Sequence, residues 1–370
     1  MTAAYALTLL ARTKRVMSSS VKRLSAGVNT AGAQSSYCFL QMCSREETLL
    51  KKILIVGAGA VGAVYGWHLH RAGHEVHFFV KPAYRDTVSA GLVLHRLEHR
   101  ATRREDWSAP RVADLATVAA ERWDQVWLTL SSDALRGELA AQLLAAVGAA
   151  TVVCLQPDLE DADYVRARVE TPEQVVHGLI TLISYQSPLP GRDDPPGIAY
   201  FLPPFTPAPF SGSPARLSGV VDALNAGGMA ARAVADVAPA AAAATALLQP
   251  LIASLELNNW QLSTVPGSAP LRIGLDAARE ALAVARQVTG ARTAKFRPLL
   301  VPWLWRLFLP LAARLLPLPL EPYLHYHFSK VGVQTRLMLE TYIRLGRQHG
   351  LETQALQKLL QALPSQSNRT

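Results

Sequence analysis

Lys52-Ile53-Leu54-Ile55-Val56-Gly57-Ala58-Gly59-Ala60-Val61-Gly62 runs from a short apolar segment directly into a glycine-rich turn. Ile53 to Val56 shows no alternation, the pattern of a strand buried on both faces of a parallel sheet. A helix-competent stretch follows from Val61 to Arg71, closed by Gly73 at the C′ position, and a second strand runs from Glu75 to Val80. Strand, G-x-G-x-x-G, helix and strand form the opening unit of a dinucleotide-binding fold. Gly57 permits the tight turn, Gly59 lets a pyrophosphate approach the backbone, and Gly62 lets helix and strand pack closely. The phosphates then sit at the positive end of the helix, against Gly57, Ala58, Gly59, Ala60, Val61 and Gly62.

The end of the second strand bears on which dinucleotide is bound. NAD-binding versions place Asp or Glu about 20 residues on, to hold the ribose 2′-hydroxyl. Here the segment reads Phe78-Phe79-Val80-Lys81-Pro82-Ala83-Tyr84-Arg85, with no acid before Asp86. Lys81, helped by Arg85, is placed to neutralise a 2′-phosphate, so NADP(H) is the expected cofactor. The competing reading makes Lys81 a solvated strand end.

Composition bounds the rest. The chain has 370 residues, 50% of them hydrophobic and 18% charged, enough for two folded domains. Its net charge of +9 suggests nucleic acid only until the charges are located. Arg12, Lys14, Arg15, Lys22, Arg23 and Arg45 all fall in residues 1–45, which hold no acid, and the remainder carries 31 basic against 28 acidic residues. Without a basic stripe interleaved with aromatics, no nucleic-acid partner is expected. Residues 1–48 read as a transit peptide or a disordered tail, and the expected location is cytoplasmic or mitochondrial. Of Cys38, Cys43 and Cys154 only the last lies in the body, so no disulfide framework or cysteine metal site is expected.

Along the body, Trp123–Leu130, Thr151–Leu155 and Val175–Ser184 read as strands, with a helix over 134–147. Leu94–Arg104 reads as a polar, basic stretch. A short strand over 198–202, a helix over 216–226 and a last strand over 230–237 complete an α/β Rossmann-type doubly wound sheet spanning 50–238. From Pro239 the pattern becomes helical, giving an all-helical C-terminal domain over 239–365 for substrate binding and dimerisation. Ser131 and Gln156 follow strand ends and are placed to face nucleotide or substrate; N-capping is the competing role for Ser131. The apolar segment 299–320 is broken by Pro302, Arg306, Pro310, Arg314, Pro317 and Pro319, which argues against a span. Packing on the second domain or lidding the cleft is favoured over an interfacial element, and no membrane partner is expected.

The pattern from Lys52 to Gly62, then Tyr65-Gly66 and Arg71-Ala72-Gly73-His74-Glu75-Val76, resembles the ketopantoate reductases. So do Leu128-Thr129-Leu130, Leu155-Gln156, Gln334-Thr335 and Arg347-Gln348-His349-Gly350. The resemblance spans about residues 51–360 and implies an NADPH-binding Rossmann domain joined to a helical domain, with a 2-oxo acid reduced between them and a basic residue at Lys81 for the NADPH phosphate. It also implies catalytic groups from which this chain departs. Ser131 stands where the family has a lysine, and Pro157 where it has an asparagine. Ala246–Leu251 contains no general-acid lysine, and Gln334 replaces a glutamate.

Hydride delivery to a ketone needs a proton donor and positive charge near the developing alkoxide. Lys330 and His327, just before Gln334, are the candidate replacements: Lys330 for charge and His327 as a proton donor near neutral pH. Lys330 and Gln334 would share one face of a continuous helix. Ordinary surface and loop roles compete for both residues. Glu256, Asn258 and Asn259 either face the cleft or are solvated. No metal site is expected. Three functions remain open: an NADPH-dependent reductase of a 2-oxo acid or related small-molecule carbonyl with altered catalytic residues, ketopantoate reduction itself, or a non-catalytic NADP(H)-binding sensor or scaffold. A homodimer is expected.

Overall fold

The unbroken apolar runs on either side of the glycine turn become the centre of one sheet. The computed structural model describes residues 50–365, so the leader expected at 1–48 lies outside the described residues. In chain order the strands are β1 (Lys52–Val56), β2 (Glu75–Phe79), β3 (Leu92–Leu97), β4 (Thr102–Trp107), β5 (Arg111–Ala113), β6 (Gln125–Leu128), β7 (Thr151–Cys154), β8 (Val175–Gly178), β9 (Ile183–Ser187), β10 (Gly197–Phe201), β11 (Ala208–Ser211) and β12 (Ala231–Ala233). Eight of them form one sheet in the order β12-β11-β8-β7-β6-β1-β2-β5. β1 pairs in parallel with β2 on one side and β6 on the other, placing Ile55 opposite both Phe78 and Trp127. The chain leaves β1 in one direction and returns beside it at β6. The crevice beyond their C-terminal ends is therefore the switch point at which such sheets bind ligands.

The helices of this half are α1 (Ala60–Arg71), α2 (Arg85–Ala90), α3 (Leu115–Ala120), α4 (Ser132–Leu135), α5 (Glu138–Ala146), α6 (Asp161–Arg166) and α7 (Pro214–Ala226). The single helix expected over 134–147 is two, because Gly137 leaves helical geometry between α4 and α5.

A second sheet, β4-β3-β10-β9, covers α1 and corrects two expectations. The polar stretch 94–104 folds as the antiparallel β3–β4 hairpin. Its strand signal is masked because Glu105 faces inward, where it accepts hydrogen bonds from Trp67 Nε1 at 2.8 Å and Tyr200 OH at 2.5 Å. The apolar run from Val175 to Ser184 is two strands, with β8 in the large sheet and β9 in the small one. The chain crosses between sheets at 179–182.

Past Val237 the described chain is helical: α8 (Ala238–Leu257), α9 (Ala269–Thr289), α10 (Leu304–Leu315), α11 (Leu320–Lys330), α12 (Gly332–Gln348) and α13 (Gln354–Ala362). α8 is long and apolar enough to cross a membrane, but 72% of its apolar window is buried inside the protein, as in a core helix. Its small side chains let α9 approach closely. A Cβ on Gly274 would stand 2.7 Å from the Ser254 Cβ. α10 buries Leu309 against the helical core and leaves Trp303, just before it, and Leu307 and Leu311 exposed. Nothing from 299–320 lines the cleft described below, so this segment is not its lid.

The sheet and the helices meet at a buried polar knot. Asp161 accepts from Ser132 Oγ at 2.7 Å, Arg136 at 2.5 Å and the Asp158 backbone N–H at 2.8 Å. Asp158 accepts from the Glu160 N–H at 3.1 Å and lies 3.5 Å from Arg136. Burial, followed by the neighbouring Asp161 carboxylate, pushes the Asp158 carboxyl up to about 6. A folded pKa above the unfolded value means that proton uptake stabilises the fold, a contribution lost as pH rises through about 6. Urea unfolding should therefore show this group removing about 1 kcal/mol of stability between pH 5 and pH 8. In Asp158→Asn that part of the slope disappears; an unchanged slope would refute the assignment.

Candidate functional site

The turn from β1 into α1 has the geometry that phosphate binding requires. Gly57 has φ +100°, which only glycine adopts without strain. A Cβ on Gly62 would stand 2.0 Å from the Gly57 carbonyl oxygen and 2.5 Å from Thr129 Oγ1. Thr129 fixes the turn from the neighbouring strand end, its hydroxyl lying 2.8 Å from the Val56 carbonyl and 2.9 Å from that of Gly57. Gly59 differs from both, since a Cβ there would meet nothing within 4 Å. It is the N-cap of α1, offers no side-chain cap, and is followed by no acid in the first turn. The first N–H groups of α1 are therefore free for an anion. The cradle fits a dinucleotide pyrophosphate, with Ala58, Ala60 and Val61 alongside. Lys81 is exposed at the N-cap of a 3-10 turn (Pro82–Tyr84) just past β2, and the Nε of Arg85 is buried without a partner among the described residues.

Beyond Val61 a cleft of about 200 Å³ opens between the sheet and α8, α11 and α12. Ser131, Gln156, Thr245, Gln249, His327 and Gln334 supply most of its polar lining, while Leu248, Phe328, Val331 and Ile180 supply apolar wall. Ser131 is the N-cap of α4 by position, yet its hydroxyl makes no capping bond and is free to face the cleft.

Gln156 lies in the cleft wall as expected, but its carboxamide is not free. Nε2 donates to the Leu128 and Leu130 carbonyls at 3.0 and 2.9 Å, and Oε1 accepts from the Leu155 N–H at 3.2 Å. It braces the ends of β6 and β7 from within the cleft wall.

Of the proposed catalytic pair, only His327 reaches the cleft. Lys330 is exposed and outside the lining. The shared-face argument fails because the helix breaks at Val331, between α11 and α12, so the spacing from Lys330 to Gln334 crosses a joint. His327 stacks near Tyr323 at 5.4 Å and Phe328 at 4.9 Å between ring centroids. Burial, with the Lys330 cation adding to it, pushes its pKa down to about 4. It is a neutral imidazole at pH 7, a hydrogen-bond donor rather than a strong acid. Gln334 is tied down, its Oε1 accepting from the Ser132 N–H at 2.9 Å. Glu256 is neither solvated nor in the cleft: it holds Arg336 through two oxygens at 2.8 and 3.1 Å.

The residue that sequence reasoning missed is Gln249. It is 4% exposed, lines the cleft, and its Oε1 has no hydrogen-bond partner among the described residues. A buried unpaired amide oxygen is costly, and such orphans gather where a ligand completes them. The signal was available. Thr245 and Gln249 are polar residues four apart in an apolar helix, which places them on one face. Thr245 is committed to Tyr342 OH at 2.8 Å, so Gln249 is the open member.

Residues 53–192 match the family described as ketopantoate reductase PanE/ApbA, and this segment belongs to it. No curated protein matches the chain. Among solved structures, the PanE/ApbA family ketopantoate reductase from Ralstonia eutropha JMP134 superposes with TM-score 0.65 at 21% identity, over 84% of this chain and 97% of that one. D-mandelate dehydrogenase in ternary complex with NADH and anilino(oxo)acetate gives TM-score 0.65 at 16% identity over 84% and 96%. The 2-dehydropantoate 2-reductase from Geobacter metallireducens GS-15 gives 0.62 at 16% over 84% and 98%. At these identities the likeness is one of fold.

The two glycines should respond differently to a methyl group. Gly62→Ala forces α1 off β1 and should cost about 3 kcal/mol in thermal or urea unfolding. Gly59→Ala has room to fold and should leave unfolding unchanged, while weakening dinucleotide binding by about tenfold or more in a fluorescence titration, because the methyl stands where the phosphates lie. Equal effects of both variants on stability would contradict the cradle.

Proposed function

We propose that this chain, ketopantoate-reductase-like in residues 53–192 and in fold, is an NADP(H)-dependent reductase of a 2-oxo acid or related carbonyl whose donor set carries no cation. The observation that carries this reading is the unpartnered Gln249 Oε1, an acceptor that a ligand N–H or O–H would complete, in a cleft that begins at the glycine cradle. A bound nicotinamide dinucleotide supplies the hydride. The chain's own residues do the remaining work. The N-terminus of α1 holds the phosphates, and Lys81 with Arg85 neutralises the ribose phosphate. Ser131 and the neutral His327 offer hydrogen bonds to a substrate carbonyl and to the alkoxide that replaces it, while Gln249 Oε1 accepts from an N–H or O–H of the bound ligand and so orients it. Buried neutral donors strengthen in a dry site but remain about half as strong as charged ones. The apolar walls select a carbonyl with a hydrophobic substituent, a choice consistent with the aromatic oxo acid analogue seen in D-mandelate dehydrogenase.

Purified full-length protein should oxidise NADPH in the presence of a 2-oxo acid from a panel that includes ketopantoate and bulkier aryl and branched analogues. Gln249→Ala should lower kcat/KM by about tenfold to a hundredfold with cofactor affinity unchanged. Tight NADPH binding with no turnover of any carbonyl would instead support the non-catalytic reading. Lys81→Ala should weaken NADPH by about tenfold while leaving NADH within about twofold.

The pH profile provides a separate check. His327 titrates at about 4, and no lysine lines the cleft among the described residues. The rate should be flat from about pH 5.5 to 9, bending only below that as His327 protonates, and it should lack the alkaline limb that a lysine acid produces. An alkaline fall that disappears in Lys330→Ala would restore Lys330 to the mechanism.

A further inference from the structure

The segment that leaves α9 and passes through α10 has two unusual properties together. Between Glu280 and Glu321 the chain carries Arg286, Arg292, Lys295, Arg297, Arg306 and Arg314 and no acidic residue. All six cations are exposed, and none forms an ion pair with a described residue. Arg286, Arg292 and Arg297, together with Arg279, line an open cavity of about 830 Å³ that ends at Val301. Of the neighbouring acids, one offsets a cavity arginine and two are tied to backbone N–H groups. Asp276 pairs with Arg279, Glu280 takes the Ala355 and Leu356 N–H groups, and Glu321 takes the Leu262 N–H.

Two residues beyond that cavity begins an apolar stripe. Trp303, Leu307 and Leu311 are 62%, 64% and 51% exposed. A spacing of four residues places them along one side of α10, while Leu309 on the opposite side is buried. Arg306 and Arg314 flank the stripe. The preceding turn (Ala294–Leu300) and α10 meet at 96°, so they do not form one straight rod. α10 has 12 residues and is about 18 Å long, too short to cross a hydrocarbon core of about 30 Å.

We propose that this face is a peripheral docking site for an anionic lipid bilayer. The α10 stripe inserts at the level of the acyl–headgroup boundary, and the arginine-lined cavity receives lipid phosphate. This revises the expectation of no membrane partner. Charge complementarity selects the occupant. A second copy docked through the same patch would bring six cations against six, and residues 1–45 are themselves basic and acid-free. Guanidinium groups match phosphate geometry, and an apolar stripe flanked by Arg with Trp at its edge is the pattern of a helix lying in an interface.

The test is flotation of the full-length protein with vesicles of phosphatidylcholine, with and without about one-third phosphatidylserine. Binding should require the anionic lipid and fall steeply at high salt. Because the altered residues are exposed, Trp303→Ser/Leu307→Ser/Leu311→Ser and, separately, Arg292→Glu/Arg297→Glu should keep the wild-type circular dichroism and NADPH affinity. Each should weaken vesicle binding by about tenfold or more. No binding to anionic vesicles at low salt overturns the proposal. So does binding that survives both variants, which would place the contact in the leader. If the serine variant instead converts a dimer to a monomer in sedimentation and leaves vesicle binding unchanged, the face is an interface between copies and the proposal fails. NADPH affinity is read in the same samples, so these outcomes are distinct from failure of the proposed activity.

Discussion

Helix α1 is held on three sides at distances that only hydrogen atoms allow, and the rest of the architecture follows from that confinement. At its start, Gly62 lies against the Gly57 carbonyl and Thr129. One turn on, a Cβ at Gly66 would stand 2.8 Å from Phe78 and 3.3 Å from Trp107, rings carried by the large and small sheets. Near its end the His68 carbonyl meets Gly227, where a Cβ would lie 1.9 Å away. A helix so confined cannot roll or slide. Its free N-terminal N–H groups therefore point at one place, the crevice beyond β1 and β6. Preorganisation of this kind is what makes a helix terminus a binding site rather than a polar chain end.

That precision contrasts with the electrostatics of the cleft it serves. The polar side chains lining it are hydroxyls, amides and one imidazole held neutral by its surroundings. A cation in that position would offset alkoxide charge directly, but it would need a partner while the site stood empty. Uncharged donors avoid that cost. Gln156 and Gln334 satisfy the backbone around them, which leaves the Ser131 hydroxyl as a donor and Gln249 Oε1 as an open acceptor. The knot of Arg136, Asp158 and Asp161 lies just behind, where Glu160 also pairs with Arg344 across the same junction. Charge is thus used to fix the two halves of the molecule against each other and is kept out of the cleft.

The glycine turn, its strand and the change to helices near residue 238 were legible because local rules govern them: apolar runs, φ-permissive residues and helical periodicity. The small sheet was not legible. Glu105 is an inward carboxylate satisfied by Trp67 and Tyr200, which lie 38 and 95 residues away in the chain, and no local pattern announces such partners. The same limit applies in the site. Lys330 and His327 lie three residues apart on α11, yet His327 is in the cleft wall and Lys330 is exposed outside it, and the break at Val331 parts Lys330 from the Gln334 face that sequence spacing suggested. Gln156 looked free and is spent; Gln249 looked inert and is open. Which polar group is satisfied is a tertiary property, and sequence reading is weakest on that question.

The distribution of charge outside the cleft completes the picture. Setting aside residues 1–45, the chain carries 31 basic and 28 acidic residues, and six of the basic ones lie in the acid-free segment around α10. Without that segment the body would hold 25 basic against 28 acidic residues and be slightly acidic. The positive character of the folded chain is therefore local, and a nearly neutral molecule carries a strong charge asymmetry. Such a molecule is turned by an anionic surface more than it is pulled toward it, because the torque on a separated charge distribution persists where the net attraction is weak. Steering of this kind acts only within about a Debye length, roughly 8 Å at physiological salt, so electrostatics can orient the α10 face but cannot hold it. Holding requires burial of apolar area, which the exposed Trp303, Leu307 and Leu311 stripe provides at that same face.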